Sequence, residues 1–205
     1  MSAITVSPRN TTRLALLLAA SIVAALVYVL VETSDQSAAA YGGADGKLGG
    51  EFTLNGIDGE VSLSDFRGKI VVMYFGFLNC QEVCLNSMTV LQTSLLRLPA
   101  EQLDQVRVLL VSIDPERDSN EDLAEFTRRF HENIIGLRGS QREIDAVTAD
   151  YGAHYEITDA DRNDPGYLFR HSSRYYVINQ AGELVDAMRH STTPNELITR
   201  IRSLM

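Results

Sequence analysis

The apolar positions of the chain change period several times, and each change marks an element. Leu14–Val31, LALLLAASIVAALVYVLV, is apolar and uncharged throughout. At about 1.5 Å per residue it is long enough to cross most of a hydrocarbon core as a helix. Thr33–Gly50 turns small and polar, rich in Ala, Gly, Ser and Asp, with no apolar period, and reads as a flexible linker. Glu51–Leu54 and Glu60–Leu63 are short strand-like segments around Asn55-Gly56-Ile57-Asp58-Gly59, a hairpin signal. Asp65-Phe66-Arg67-Gly68-Lys69 is a turn into Ile70–Phe75, which is apolar without alternation and predicts a central strand covered on both faces.

Met88, Leu91, Leu95 and Leu98 then recur at helical spacing until Pro99 ends the segment. Val106–Ile113 is a second buried strand. Ser119 offers an N-cap with Asp122 three residues on, ahead of an amphipathic helix through Leu123, Phe126 and Phe130. Ile134–Leu137 is a short strand, and Ser140 with Glu143 forms a capping box opening a helix through Ile144, Val147 and Tyr151. Gly152–Pro165 is polar and acidic and reads as a loop or insertion. Arg174–Ile178 and Glu183–Ala187 are strands around Asn179-Gln180-Ala181-Gly182, and Thr193-Pro194-Asn195-Glu196 starts a terminal helix with Leu197, Ile201 and Leu204 inward. This order predicts an α/β fold, a mixed sheet flanked by helices, with an N-terminal transmembrane helix. The expected organisation is a cytoplasmic N-terminus over 1–13, an anchor over 14–31, a linker over 32–48 and one folded domain over 49–205.

Charge sharpens the topology. Arg9 and Arg13 precede the apolar run, Glu32 and Asp35 follow it, and the positive-inside tendency keeps the N-terminus cytoplasmic and exports the rest. A cleaved signal peptide is the alternative, with Ala38-Ala39-Ala40 as a small-residue cleavage site, but the apolar run exceeds the usual length of a signal core. The first 31 residues hold two of the 18 basic residues and none of the 27 acidic ones, which leaves 16 against 27, a net −11, on the remainder. A nucleic-acid surface needs a basic face, so that class of partner is excluded.

The two cysteines, Cys80 and Cys84, are the only ones in the chain, and they follow the apolar strand directly. A helix beginning near Cys80 places both sulfurs on one face at i, i+4, where they can close as a disulfide or hold one soft metal ion. Export puts them where disulfides persist, so the plain alternatives to a functional pair are a structural disulfide or two small core residues. A strand ending in two close cysteines at a helix start is also the thioredoxin arrangement, although the spacing here is Cys-x-x-x-Cys.

Five motifs occur in one order: Gly50-Glu51-Phe52-Thr53-Leu54, Asp65-Phe66-Arg67-Gly68-Lys69, Tyr74-Phe75-Gly76-Phe77 with Cys80-x-x-x-Cys84, Val111-Ser112-Ile113-Asp114-Pro115-Glu116-Arg117-Asp118, and Tyr167-x-x-x-His171-Ser172. Together they resemble the Sco/SenC family of membrane-anchored, thioredoxin-fold copper proteins over nearly all of residues 49–205. The resemblance implies a copper site made of Cys80, Cys84 and His171. It also implies delivery of copper, or of reducing equivalents, to the binuclear copper centre of cytochrome c oxidase. The chain departs from the family pattern at Gln81 and Leu85, where a proline usually follows each cysteine, and at Leu78-Asn79, where a Thr is common. Loss of both prolines is expected to loosen the loop and shift its redox poise.

Thiolates bind metal or attack disulfides, and a helix N-terminus lowers a cysteine's pKa. Cu(I) prefers soft thiolates with imidazole as companion, while zinc in structural sites closes with four ligands, one more than is evident here. The cofactor expected is therefore copper as Cu(I), with Cu(II) left open. The expected partners are a copper-receiving protein such as a cytochrome c oxidase subunit, a thiol–disulfide partner, and the membrane through the N-terminal helix. Three functional classes stand: a metallochaperone using Cys80, Cys84 and His171; a thiol–disulfide oxidoreductase with Cys80 and Cys84 redox-active; and a redox or copper sensor. Asp114 and Asp118 around Pro115 read as turn chemistry supporting the site from behind. Tyr74, Phe75 and Phe77 read as core and rim packing, and His131, His154 and His190 as solvated or local partners.

Overall fold

A strand with no charged side chain and an almost wholly apolar sequence needs an apolar layer on each face, and the fold supplies both. The computed structural model describes residues 47–80, 83–157 and 169–205. β1 (Thr53–Gly56) and β2 (Gly59–Ser62) pair as an antiparallel hairpin, and a 3-10 turn over Leu63–Phe66 leads to β3 (Ile70–Gly76). Helix α1 (Val83–Leu96) follows, then a short helix α2 (Ala100–Leu103), β4 (Val106–Ser112), α3 (Asn120–Arg128), β5 (Ile134–Leu137) and α4 (Gln141–Asp150). The chain continues through β6 (Tyr155–Ile157), β7 (Phe169–His171), β8 (Arg174–Ile178), β9 (Leu184–Arg189) and α5 (Pro194–Arg202).

The main sheet has the order β5-β4-β3-β8-β9. β3, β4 and β5 run parallel, while β8 is antiparallel to β3 and β9 to β8, so the sheet is mixed as expected. All seven residues of β3 are buried. Ile70, Val72 and Tyr74 pack into one cluster with Met88, Leu91 and Leu95 of α1, Leu123 of α3 and Leu197 and Ile201 of α5. Val71, Met73 and Phe75 pack into the other with Phe52, Leu54, Ile144 and Val147. The period-2 alternation of a strand thus divides one apolar run between two helical layers.

The predicted caps form. Ser119 accepts the Asp122 amide at 3.0 Å, and Ser140 with Glu143 and Thr193 with Glu196 make reciprocal capping boxes. Phe126 and Phe130 are only partly buried against the core, their ring centroids 5.2 Å apart. One expectation is corrected: Gly152–Pro165 is not simply a loop, because Tyr155–Ile157 pairs antiparallel with Phe169–His171 in a separate two-stranded ribbon. Three-residue strands are too short to print a period on the sequence. The predicted anchor and most of the predicted linker lie outside the described residues. Among the described residues, no helix is long and apolar enough to cross a membrane.

Gly136 shows how tightly the first layer closes. A Cβ there would stand 2.8 Å from Leu123 Cβ and 3.0 Å from the Leu123 backbone. Gly136→Ala must therefore push α3 off β5, and is expected to cost about 1–3 kcal/mol of stability, read as a lowered urea midpoint with an unchanged slope.

Candidate metal centre

The site grows from the carboxyl end of β3. Gly76 closes that strand, and a Cβ there would lie 3.4 Å from Cys84 Sγ and 3.2 Å from side-chain carbons of Tyr74 and Leu110. Glycine at this position leaves the space into which the Cys84 sulfur packs. Beyond it, Phe77 and Leu78 carry the chain over the sheet edge to Cys80, whose amide donates to the Phe77 carbonyl at 3.3 Å. Cys84 lies in the first turn of α1, is almost fully buried, and donates its amide to Cys80 Sγ at 3.4 Å. Cys80 is half-buried, and both cysteines are free thiols.

The third group comes from the ribbon. His171 ends β7 and presents Nε2 to Cys84 Sγ at 3.6 Å. One donor atom from each of Cys80, Cys84 and His171 falls within 4.8 Å of the other two, although Cys84 and His171 are separated by 87 positions in sequence. The imidazole is held edge-on by Phe77, with centroids 5.8 Å apart at 78°, and by Tyr74, at 6.3 Å and 85°. Its Nδ1 is buried with no hydrogen-bond partner among the described residues. Of the other histidines, His131 accepts the Asn133 amide through Nδ1, and the His154 backbone pairs with Ser172; neither joins the cluster.

The two sulfurs share their protons unequally. The Cys84 thiol donates to the Cys80 sulfur, the largest cause of a Cys80 pKa lowered to about 5; burial opposes this, and His171 and the Cys84 amide add to it. Cys84 is pushed far upward by the same sharing and then by burial. The pair therefore gives up its first proton readily and keeps its second, a property of both sulfurs together. Burial, then the nearby Cys84, pushes the Tyr74 phenol up, so it stays protonated beside the sulfurs.

Asp118 supports the loop from behind. Its Oδ2 accepts the Leu78 amide at 3.1 Å and the Ser112 hydroxyl at 2.6 Å, and Ser112 in turn accepts the Asp114 amide at 3.0 Å. Asp114 is buried and ion-paired with Arg117. Neither aspartate joins the three-residue cluster. Sequence reasoning missed the contacts of Tyr74 and Phe77 with His171, and for those rings the Tyr-Phe-Gly-Phe motif was the available signal. A soft thiolate pair with one imidazole suits a soft cation such as Cu(I), and also suits thiol–disulfide exchange.

The SCO1/SenC family model matches residues 42–205. An SCO2-like protein of Rickettsia conorii is 32% identical over 158 residues, covering 77% of each chain. Among solved structures, apo Sco1 of Thermus thermophilus matches with a TM-score of 0.71 at 29% identity, covering 77% of this chain and 92% of that one. Bradyrhizobium japonicum ScoI with copper bound matches with a TM-score of 0.69 at 26% identity, covering 77% and 99%. The α/β architecture with its mixed, helix-flanked sheet is thus the thioredoxin-like fold of these proteins.

Two outcomes follow from the electrostatics. Alkylation of the reduced protein by iodoacetamide is expected to titrate at Cys80 with a midpoint of about 5. Cys84→Ala raises that midpoint most and His171→Ala raises it less; peptide mass spectrometry reads both, and a wild-type midpoint near the ordinary 9.0 would exclude proton sharing. Burial also raises Asp118 from 3.8 to about 6, so the folded protein retains a proton that the unfolded chain loses in between. That contribution is complete below the lower value and gone above the upper one. Wild-type stability should therefore fall by up to about 3 kcal/mol relative to Asp118→Asn between pH 4 and 7, measured by urea unfolding.

Proposed function

The chain belongs to the SCO1/SenC family, and on that footing we propose that it is a copper-binding metallochaperone in which Cys80, Cys84 and His171 hold Cu(I). The observation that carries this reading is the convergence of these three donors within 4.8 Å from two separately hydrogen-bonded parts of the fold. Cys80 enters as thiolate and Cys84 releases its proton to solvent as the ion binds, since only the thiolate is a strong ligand. The half-exposed Cys80 gives a recipient access to the cargo, so copper passes by ligand exchange, one donor at a time. Oxidation of the two thiolates to a disulfide, with two electrons leaving to a partner, removes two of three ligands and releases the ion.

The recipient is the copper centre of cytochrome c oxidase during assembly, as the family resemblance implies. Leu14–Val31 anchors the protein by a single span, with Arg9 and Arg13 on the cytoplasmic side and residues 49–205 exported. The copper-bound structure of the Bradyrhizobium relative supports the choice of metal.

A second reading rests on the proton asymmetry of the pair. An accessible low-pKa Cys80 beside a buried, protonated Cys84 is the arrangement of an attacking and a resolving thiol. Cys80 would attack a client disulfide and Cys84 would release the client, so that the client gains two thiols and the pair becomes a disulfide.

Titration of the reduced full chain in mild detergent with Cu(I), against a chromophoric chelator, tests the first reading. One copper per chain is expected, bound at least about tenfold more weakly by His171→Ala, with tight binding lost in Cys84→Ser. Equal, weak binding in all three proteins would sink it. Turnover of a disulfide substrate that vanishes in Cys84→Ser would establish the second.

A further inference from the structure

His171 reaches the sulfurs from a part of the fold that the main sheet does not hold. Its ring has no hydrogen bond at Nδ1 among the described residues, so no side-chain partner there fixes the imidazole. Apart from the Nε2 contact with Cys84, its placement falls to the backbone of β7 and to T-shaped contacts with Phe77 and Tyr74. β7 pairs only with β6 among the described strands, and Tyr155 stands directly across the ribbon from His171 in the register. Residues directly opposed in an antiparallel pair carry their side chains on the same face.

The Tyr155 phenol donates to the Asp145 carboxylate and accepts from the Gln141 side-chain amide, and Gln141 also donates to Asp145 at 3.1 Å. Both partners lie on α4, one turn apart, and Tyr155 packs at the margin of the second core cluster. Besides the contacts of His171 itself, two further side-chain ties are internal to the ribbon and its flanks. Arg170 and Glu156 pair across it at 2.7 Å while largely exposed, and Ser172 accepts the His154 amide at 3.0 Å. Exposed pairs of that kind hold little.

We propose that Tyr155 is a positioning residue for the His171 arm: its phenol, fastened to Asp145 and Gln141 on α4, holds the strand facing His171 and thereby sets Nε2 beside Cys84. The proposal rests on the copper-holding reading of the cluster and names what keeps its imidazole donor in place. Removing the hydroxyl keeps the ring and its packing but cuts the ribbon's tie to α4.

The test is a double-mutant cycle on the reduced full chain, comparing wild type, Tyr155→Phe, His171→Ala and the double variant by Cu(I) competition titration. Tyr155→Phe should weaken binding about tenfold, and Asp145→Asn should act in the same direction. In the His171→Ala background, Tyr155→Phe should change affinity by less than about twofold, with thermal midpoints unchanged. Wild-type affinity in Tyr155→Phe, or an equal loss in both backgrounds, would overturn the proposal. The metal-free proteins supply a separate readout, the histidine ring resonances by NMR. The His171 Cε1–H signal, from a ring set nearly perpendicular to two aromatic neighbours, should shift in Tyr155→Phe, and an unshifted signal would also overturn it. Absence of tight copper binding by wild type, with the shift present, removes the copper reading and leaves the positioning role standing.

Discussion

Everything at the site depends on the burial of β3 on both faces. Because Ile70 through Gly76 are enclosed by apolar layers, the strand cannot slide or tilt without exposing one layer or the other. The loop that leaves it therefore starts from a fixed point. Asp118 then fixes the next step by taking the Leu78 amide, and Gly76 leaves the depth into which the Cys84 sulfur settles. A carboxylate in so apolar a place is costly unless it is hydrogen-bonded, and here its bonds are spent on the loop and on Ser112.

The chemistry of the cysteines follows from their unequal depth. With Cys84 buried and Cys80 half-buried, negative charge settles on the sulfur nearer water, and the Cys84 proton stabilises it there. Neither sulfur has this character alone. The low-pKa thiolate is produced by the neighbour that keeps its proton, with the imidazole as a lesser contributor.

The framework was legible because its signals are local. The uninterrupted apolar run of β3, the Ser140–Glu143 and Thr193–Glu196 boxes and the Asn179–Gly182 turn each encode their conformation within a few residues. The closeness of Cys80 and Cys84 was legible for the same reason, as an i, i+4 spacing. The approach of His171 was not a matter of spacing, and only the joint motif pattern pointed to it. The β6–β7 ribbon stayed hidden because each strand is three residues long and lies in polar sequence. Tyr155 was hidden as well, since a tyrosine in a polar stretch gives no sign of an α4 carboxylate ten residues upstream. The edge contacts of Tyr74 and Phe77 with the imidazole were read only as packing, because alternation reports which face a ring occupies and not what it meets there.

The separateness of the ribbon has a mechanical consequence. The sulfurs are supported by the five-stranded sheet and α1, whereas the imidazole belongs to a ribbon that, among the described residues, shares no ladder with that sheet. Withdrawing His171 from the cluster breaks no rung of the sheet's ladder, although it uncovers the Tyr74 and Phe77 rings on which the imidazole packs. A change from three donors to two therefore requires no rupture of the five-stranded ladder. The fold keeps its firm and its yielding parts on opposite sides of one small cluster of donor atoms.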